Sequence, residues 1–154
     1  MYYRKGISMD PLNLWLADLL NTIGSSPDKD TCISLLKQCG AHCAQRNALP
    51  SAAQMKADLS KASNLTEIAA VIRRHTGAEC VPAAGGFVVT YNWGKGCDCP
   101  LVKDGHVASP VFCNCTMGFH ETLWSAMFEK PVTVELLESF LRGGSCCAQK
   151  ITFK

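Results

Sequence analysis

The sequence predicts an α+β fold in which a helical amino-terminal half is followed by a half that forms strands. Between residues 11 and 77, apolar side chains recur at the three- and four-residue spacing of amphipathic helices. From Ala78 onward, β-branched and aromatic residues accumulate between glycines, and a further helix interrupts the strands after Cys115. With 154 residues and 47% hydrophobic content, we expect one domain, residues 1–154, made of a mainly helical half (1–77) and a sheet-forming half (78–154).

Charge and hydropathy exclude several classes of partner. The formal net charge is +2 and the pI is near 8.0, and no basic run is interleaved with aromatic residues, so we expect no nucleic-acid partner. No apolar run approaches the ~18 residues that span a bilayer, so we expect no membrane partner. The first residues lack the apolar stretch and cleavage site of a signal peptide, which favours a cytoplasmic protein.

Ten cysteines are the unusual feature of this composition. Cytoplasmic thiols are kept reduced, so metal binding, catalysis or redox chemistry explains ten cysteines better than a disulfide framework does. In an oxidising compartment the even number would suit disulfides, and that alternative stays open.

Start and stop signals divide the first half into helices. Four helices are expected, over residues 11–23, 27–47, 52–59 and 65–75. Asp10 is placed to cap the first helix and Gly24 to close it, while Gly77 ends the fourth. Gly40 lies inside the second helix, where it weakens the helix by about 1 kcal/mol relative to Ala, so we expect it to mark a close backbone approach.

The second helix carries three cysteines on one face. Cys32, Cys39 and Cys43 are spaced i, i+7 and i+11. They could simply pack in the core, as buried cysteines often do. Alternatively, Cys39 and Cys43 contact a ligand from the layer opposite the sheet.

Two Cys-x-Cys pairs flank a turn around Gly105. Residues i and i+2 of a strand share a face, so a hairpin folded here would set Cys97 opposite Cys115 and Cys99 opposite Cys113. The four thiols would then form one patch. This arrangement predicts a metal site made of Cys97, Cys99, Cys113 and Cys115, with zinc as the candidate ion.

The helix predicted after the second pair gives Cys115 a second role. Asn114 or Thr116 is expected to cap this helix, which would place Cys115 at the positive end of the helix dipole and lower the pKa of its thiol. Cys115 is therefore the candidate catalytic nucleophile, and His120, one turn further on, is the candidate base. His106, in the turn, and His42, next to Cys43, are the alternative bases. The alternative is that Cys115 is a small buried hydrophobe.

Trp124 belongs to the apolar stripe of the same helix. Large aromatic residues at helical spacing usually pack, so we expect Trp124 to be mainly a core residue. It is also kept as a candidate ligand contact, in case its truncation leaves the melting temperature unchanged.

Residues 132–141 fit either a helix or a strand, and a glycine turn follows them in both cases. The last residues then alternate as a strand does, with Cys147, Ile151 and Phe153 inward and Cys146 outward. Cys147 is therefore a further candidate ligand-binding residue.

The cysteine spacing supports a resemblance over residues 35–154. The matching residues are Cys39-Gly40 with Cys43-Ala44, Cys97 with Cys99, Cys113 to Gly118, and Gly144 with Cys146-Cys147. At these positions the chain resembles 4-vinyl-reductase-type small-molecule-binding domains. It resembles more specifically the bacterial proteins that are similar to L-2-amino-thiazoline-4-carboxylic acid hydrolase. The resemblance implies amino-terminal helices packed on one mainly antiparallel sheet, with a helix inserted between the central and last strands and a pocket between the layers. It favours the strand for residues 132–141.

Three functions follow from these patterns. The first is a small-molecule-binding domain whose cysteine-lined pocket can hold a metal ion. The second is a cysteine- or metal-dependent hydrolase that opens a C–N bond in a small amidine or thiazoline-like ring. The third is a thiol redox sensor. The expected partner is a small molecule, and a homodimer stays an open alternative.

Overall fold

The computed structural model describes residues 10–91 and 94–154, which form six α-helices and four β-strands. The helices are α1 (Pro11–Ser25), α2 (Lys29–Asn47), α3 (Ala53–Leu59), α4 (Leu65–Thr76), α5 (Pro100–Lys103) and α6 (Cys113–Phe128). The strands are β1 (Glu79–Ala83), β2 (Gly86–Tyr91), β3 (Val132–Glu138) and β4 (Cys147–Phe153). The predicted α+β fold is confirmed.

The four strands form one antiparallel sheet in the order β1-β2-β4-β3. The last strand therefore lies between β2 and β3, and α6 is inserted in the chain between β2 and β3. The strand interpretation of residues 132–141 is confirmed, although β3 ends at Glu138. Tyr91 is the register partner of Cys147, so β4 begins beside the end of β2.

Side-chain caps explain where the amino-terminal helices begin. The Asp10 carboxylate accepts a hydrogen bond from the Leu12 N–H at 3.0 Å, and the Asp28 carboxylate accepts one from the Thr31 N–H at 3.1 Å. Asn64 caps α4 in the same way, and Gly77 ends α4 with a φ of 68°, a conformation that glycine adopts without strain. Within residues 10–91 and 94–154, no helix combines the length and apolar character that a membrane span needs.

The main core lies between the sheet and helices α3, α4 and α6. The Trp124 side chain is fully buried there and meets the Phe87 ring edge-on, with ring centroids 5.6 Å apart. The prediction that Trp124 is a core residue is confirmed. A second, smaller cluster joins α1 and α2 to the segment after α5 through Leu20, Leu36 and Val107.

Helices α2 and α6 cross with their backbones in close approach. A Cβ on Gly40 would overlap the carbonyl oxygen of Cys115, and one on Gly118 would overlap the carbonyl oxygen of Lys37. Both positions therefore require glycine, and the expectation that Gly40 marks a close backbone approach is confirmed. Lys37 adds an ion pair with Glu121 across the same crossing, at 2.7 Å.

The predicted hairpin between Cys97 and Cys115 is wrong. Cys97 and Cys99 lie in a loop, Pro100 starts the short helix α5, and Pro110 starts a 3₁₀ turn that leads into α6. A proline has no N–H to donate to a strand ladder but fits the first turn of a helix, which explains why both segments wind instead of pairing. Cys97 and Cys99 therefore lie in a loop and not in a strand.

The predicted caps of α6 are also wrong. The helix begins at Cys113 as a continuation of the 3₁₀ turn, so Asn114 and Thr116 both lie inside it. The Asn114 side chain donates to the Val111 carbonyl oxygen at 2.8 Å instead of capping. Cys115 is consequently the third residue of the helix.

Candidate functional site

One cavity of about 330 Å³ is lined by residues of α2, α6, three strands and the loop that leads into α5. Six thiols line it: those of Cys43, Cys97, Cys99, Cys113, Cys115 and Cys147. The structure therefore brings the four thiols of the two Cys-x-Cys pairs to one wall. It does so from a loop and the first turn of α6, and it adds a thiol from α2 and one from β4.

The rest of the wall is mainly apolar. Phe112, Phe119, Leu136 and Leu141 contribute side chains to it. Asp98 is the one Asp, Glu, Lys or Arg side chain among the described lining residues, and it is exposed to solvent. A wall of this kind suits an apolar ligand and offers no fixed positive charge to an anion.

Buried polar groups without partners lie in this wall. The Gln149 side chain is fully buried, and neither its amide oxygen nor its amide nitrogen has a hydrogen-bond partner. The Nδ1 atom of His120 is also buried without one. A buried amide left unpaired costs about 1–3 kcal/mol, so its presence in a cavity wall calls for an explanation.

Burial keeps the His120 imidazole and the Tyr91 hydroxyl of the wall neutral at pH 7. It lowers the pKa of His120 to about 4, so the imidazole carries no charge. It also raises the pKa of Tyr91 well above its usual range, and the Tyr91 ring lies 5.3 Å from the His120 ring. These two side chains therefore offer the cavity neutral donors and acceptors.

The pKa of the Cys115 thiol is not lowered, although its predicted position at the start of a helix implied that it would be. Burial, and after it the neighbouring thiols of Cys43, Cys39 and Cys99, raise its pKa to about 12. The expectation of a lowered pKa is wrong, because loss of hydration outweighs the field of the helix terminus. Burial likewise raises the pKa values of the Cys99 and Cys113 thiols, and the Cys113 sulfur lies 3.3 Å from the Ser139 hydroxyl oxygen.

Cys147 differs from the other lining thiols described above because its pKa is lowered. The Cys97 thiol donates a hydrogen bond to its sulfur and the Phe140 backbone N–H donates a second, and together they lower the pKa of Cys147 to about 7 in spite of burial. The same interaction raises the pKa of Cys97. Both residues line the cavity, so this interaction lies in its wall.

Two predicted site residues lie elsewhere, and one predicted orientation is wrong. Cys39 is exposed and is not part of the cavity wall, although its thiol lies close enough to Cys115 to affect it. Trp124 lies in the core and not in the wall. Cys146 was expected to face outward but is buried, with the Glu138 carboxylate beside it.

Across residues 10–91 and 94–154, no group of three or more His, Cys, Asp or Glu side chains has the arrangement that holds a metal ion. The zinc site at Cys97, Cys99, Cys113 and Cys115 stays a prediction.

Gln149 and Ser139 are two polar wall residues that the sequence reasoning missed. Gln149 follows Cys147 at i+2 on β4, so the alternation that turned Cys147 inward should also have turned Gln149 inward. Ser139 comes directly after β3 and carries no comparable signal, because its position depends on how the chain turns into the next segment.

Comparisons with known proteins were made for the whole chain. No curated protein matches it. Among solved structures, trafficking protein particle complex subunit 3 from Naegleria fowleri, covalently bound to palmitic acid, is 13% identical over 93% of this chain and 95% of its own, with a TM-score of 0.44. The phenol-responsive sensory domain of the transcription activator PoxR, with phenol, is 18% identical over 96% of this chain and 76% of its own, with a TM-score of 0.46. Likenesses at this level carry no argument about the ligand.

The model of one protein family matches residues 8–154, which cover both cysteine pairs, the cavity wall and every helix and strand described above. The chain therefore belongs to DUF6144, a family of unknown function.

Proposed function

We propose that this chain is a binding domain for a small, neutral, mainly apolar molecule with one polar group that both donates and accepts hydrogen bonds. A cavity of about 330 Å³ is within the range of ligand pockets and roughly twice the size of one that holds benzene. Its apolar wall provides the surface against which a ligand is buried, and its few polar groups fix the orientation of that ligand.

The observation that carries the proposal is the unpaired amide of Gln149. A primary amide has two donor hydrogens and an acceptor oxygen, and none of these is used within the described residues. A ligand that pairs with this amide removes the cost of leaving it unpaired. A ligand without a polar group leaves that cost in place, so the site discriminates between the two.

The charge of the cavity wall restricts the class of ligand further. His120 is neutral, and no Lys or Arg side chain lies among the described residues of the wall. An anionic ligand would lose its hydration without gaining a counter-ion, which costs more than the apolar contacts return. We therefore expect neutral molecules to be preferred over carboxylates of the same shape.

Three probes of one shape test the proposal: benzamide, toluene and benzoate. Binding is measured from the rise in melting temperature with probe concentration, since a ligand of the folded state stabilises it by about 2.7 kcal/mol at a hundred times its Kd. We expect benzamide to bind about tenfold or more tightly than toluene, and benzoate to bind most weakly. Equal stabilisation by all three, or preference for benzoate, would contradict the proposal.

The matched variant is Gln149→Leu, which keeps the volume of the side chain and removes the amide. It should bind toluene at least as well as the native chain does and lose the preference for benzamide. Leu137→Ala changes a half-exposed side chain on β3 outside the cavity wall, and should leave all three affinities unchanged.

The narrower functions remain predictions. These are zinc binding by the paired cysteines and hydrolysis of a C–N bond by Cys115 with His120. The hydrolysis needs a thiolate and a basic imidazole. The wall instead holds Cys115 protonated and His120 weakly basic, which supports ligand binding over hydrolysis. The cytoplasmic location, the homodimer and the resemblance to thiazoline-carboxylate hydrolase-like proteins likewise remain predictions.

A further inference from the structure

A ligand reaches the Gln149 amide only if part of the cavity wall moves. The Gln149 side chain lies in the wall but is 0% exposed, and neither its amide oxygen nor its amide nitrogen is in contact with solvent. A ligand that pairs with this amide must therefore displace a part of the wall. The part that moves at the lowest cost is the one with the fewest attachments to the rest of the fold.

Residues 97–109, which we call the lid segment, form one side of the cavity. The segment contains α5 and supplies to the wall Cys97, Asp98, Cys99, Pro100 and Val102. Most of the other described lining residues belong to α2, α6 and the strands. The cavity thus has one wall made of a short irregular segment, opposite walls made of long elements.

The backbone of the lid segment is bonded mainly to itself. The N–H groups of His106 and Val107 both donate to the Leu101 carbonyl oxygen, each at 2.9 Å. Within residues 10–91 and 94–154, no backbone hydrogen bond joins the lid segment to the sheet, to α1 or to α2. The segment can therefore move away from these elements without breaking a backbone hydrogen bond to any of them.

Two glycines precede the lid segment. Gly94 and Gly96 have φ values of 66° and 91°, a region that glycine enters readily and other residues rarely adopt. The Gly94 N–H donates to the Ser145 carbonyl oxygen at 2.9 Å, which fixes the chain beside the start of β4. Hinges are usually a few loop residues that absorb a large change in φ and ψ, so Gly96 is placed to act as one.

At the other end of the segment, a side chain of α1 holds it in place. The Nδ1 atom of His106 lies 2.8 Å from the side-chain oxygen of Asn13, which is 1% exposed. An amide oxygen only accepts, so the His106 Nδ1–H donates. Next to this bond, Val107 packs with Leu20 and Leu36 in the smaller hydrophobic cluster.

We propose that residues 97–109 are a lid that opens by local unfolding to admit the ligand and is held closed by the hydrogen bond from His106 to Asn13. The four residues of α5 are too few for a helix that is stable alone, so the lid loses its internal hydrogen bonds when it leaves α1. The role of the lid in ligand entry rests on the proposed function, whereas the opening itself does not.

Hydrogen–deuterium exchange of the whole native chain tests the opening without a variant. Exchange is read by mass on peptic peptides that cover residues 97–109 and, as an internal reference, the middle of α6. We expect the hydrogen-bonded amides of the lid, such as those of His106 and Val107, to exchange about tenfold or more faster than those of α6. A lid that exchanges as slowly as α6 would overturn the inference.

Two histidine variants distinguish a latch from a segment that is mobile in any case. His106→Ala removes the donor to Asn13 and should speed exchange of the lid by about threefold to tenfold, the effect of one hydrogen bond, without changing α6. His75→Ala is the matched control, because it removes a 2.8 Å contact with the Asp58 carboxylate outside the lid, and it should leave exchange of the lid unchanged. Equal acceleration of the lid by both variants, or none by His106→Ala, would show that the Asn13–His106 bond does not hold the lid.

Benzamide tests the role in entry. Its association and dissociation rate constants, obtained from the line widths of its NMR signals, should rise by a similar factor in His106→Ala. The Kd should stay near its native value, because the closed chain makes the same hydrogen bond with and without ligand. Unchanged rate constants in a variant whose lid exchanges faster would exclude the lid as the entry route. If His106→Ala speeds exchange of the lid but none of the three probes binds to the native chain, only the proposed function fails.

Discussion

Cys115 and Cys147 line the same cavity, yet the protein gives their thiols opposite acidities. Cys115 lies in the first turn of α6, where the helix field favours a thiolate, but burial and neighbouring thiols raise its pKa to about 12. Cys147 lies on a strand, and two hydrogen bonds to its sulfur lower its pKa to about 7. Hydrogen bonds to the sulfur therefore oppose the effect of burial on the pKa at Cys147, whereas no such bond offsets it at Cys115.

This difference predicts the order of alkylation inside the cavity. With iodoacetamide between about pH 6 and pH 9, Cys147 should react faster than Cys115, and its rate should rise through half its maximum near pH 7. The sign follows from the lowered pKa, since the thiolate reacts and forms at lower pH than in a free thiol. Timed labelling read by peptide mass measures both rates, with exposed Cys39 as an internal reference for access.

Two variants of one position separate the hydrogen bond from packing. Cys97→Ser keeps a donor for the Cys147 sulfur, whereas Cys97→Ala removes it. The alkylation curve of Cys147 should move to higher pH in the alanine variant and stay near its native position in the serine variant. Faster labelling of Cys115 than of Cys147 in the native chain would show that the assigned acidities are wrong.

At the scale of elements, the cavity depends on how closely α6 packs on α2. Gly40 and Gly118 let the two helix backbones approach, and this places Cys43 of α2 and Cys115 of α6 on one wall. Any side chain at either glycine would push the helices apart. The two glycines thus determine both the stability of the helix pair and the shape of the cavity.

Gly40→Ala tests this packing. Alanine is the better helix former by about 1 kcal/mol, so helix propensity alone would make the variant more stable. We expect the opposite, a loss of about 1–3 kcal/mol in the free energy of unfolding, because the new methyl overlaps the Cys115 carbonyl oxygen. Urea unfolding followed by circular dichroism measures it.

The control is Gly24→Ala in α1. A Cβ there would lie 3.7 Å from the Val111 Cβ, an ordinary contact, so this variant should gain up to about 1 kcal/mol. If both glycine variants were stabilised alike, the close approach of α2 and α6 would not be a feature of the folded protein.

At the scale of the whole molecule, local sequence signals predicted elements better than they predicted the site. Asp10 and Gly77 mark helix ends by their own chemistry, and the alternation around Cys147 describes one strand face, so all three are readable without knowing the fold. The spacing of Cys97 and Cys99 was misread because i, i+2 geometry applies only to residues that are in a strand. Pro100 was the local signal against that strand.

The properties of the cavity could not be predicted in the same way. The raised pKa of Cys115 and the lowered pKa of Cys147 depend on burial and on partners that are distant in sequence, such as Cys43 and Cys97. The unpaired amide of Gln149 exists only because three strands and α6 enclose it. A single sequence shows which residue types such a site contains, whereas their pKa values and hydrogen-bond partners depend on tertiary packing.

The packing of the molecule as a whole is tested by its two described tryptophans. Trp124 is fully buried in the main core, against Phe87 and Phe128, whereas Trp15 on α1 is 61% exposed. Trp124→Ala removes the largest fully buried side chain of the described residues and should cost about 3–5 kcal/mol, because the cavity it leaves is enclosed by the sheet and cannot collapse fully.

Trp15→Ala is the same substitution in a helix at an exposed position, and it should change the free energy of unfolding by no more than about 0.5 kcal/mol. Urea titrations of the two variants and the native chain, followed by far-ultraviolet circular dichroism, give the comparison. A small effect of Trp124→Ala would mean that this side chain faces a ligand and not the core. A large effect of Trp15→Ala would instead show that the exposed face of α1, which also carries Leu12 and Leu19, is covered in solution by another surface, as in the predicted homodimer.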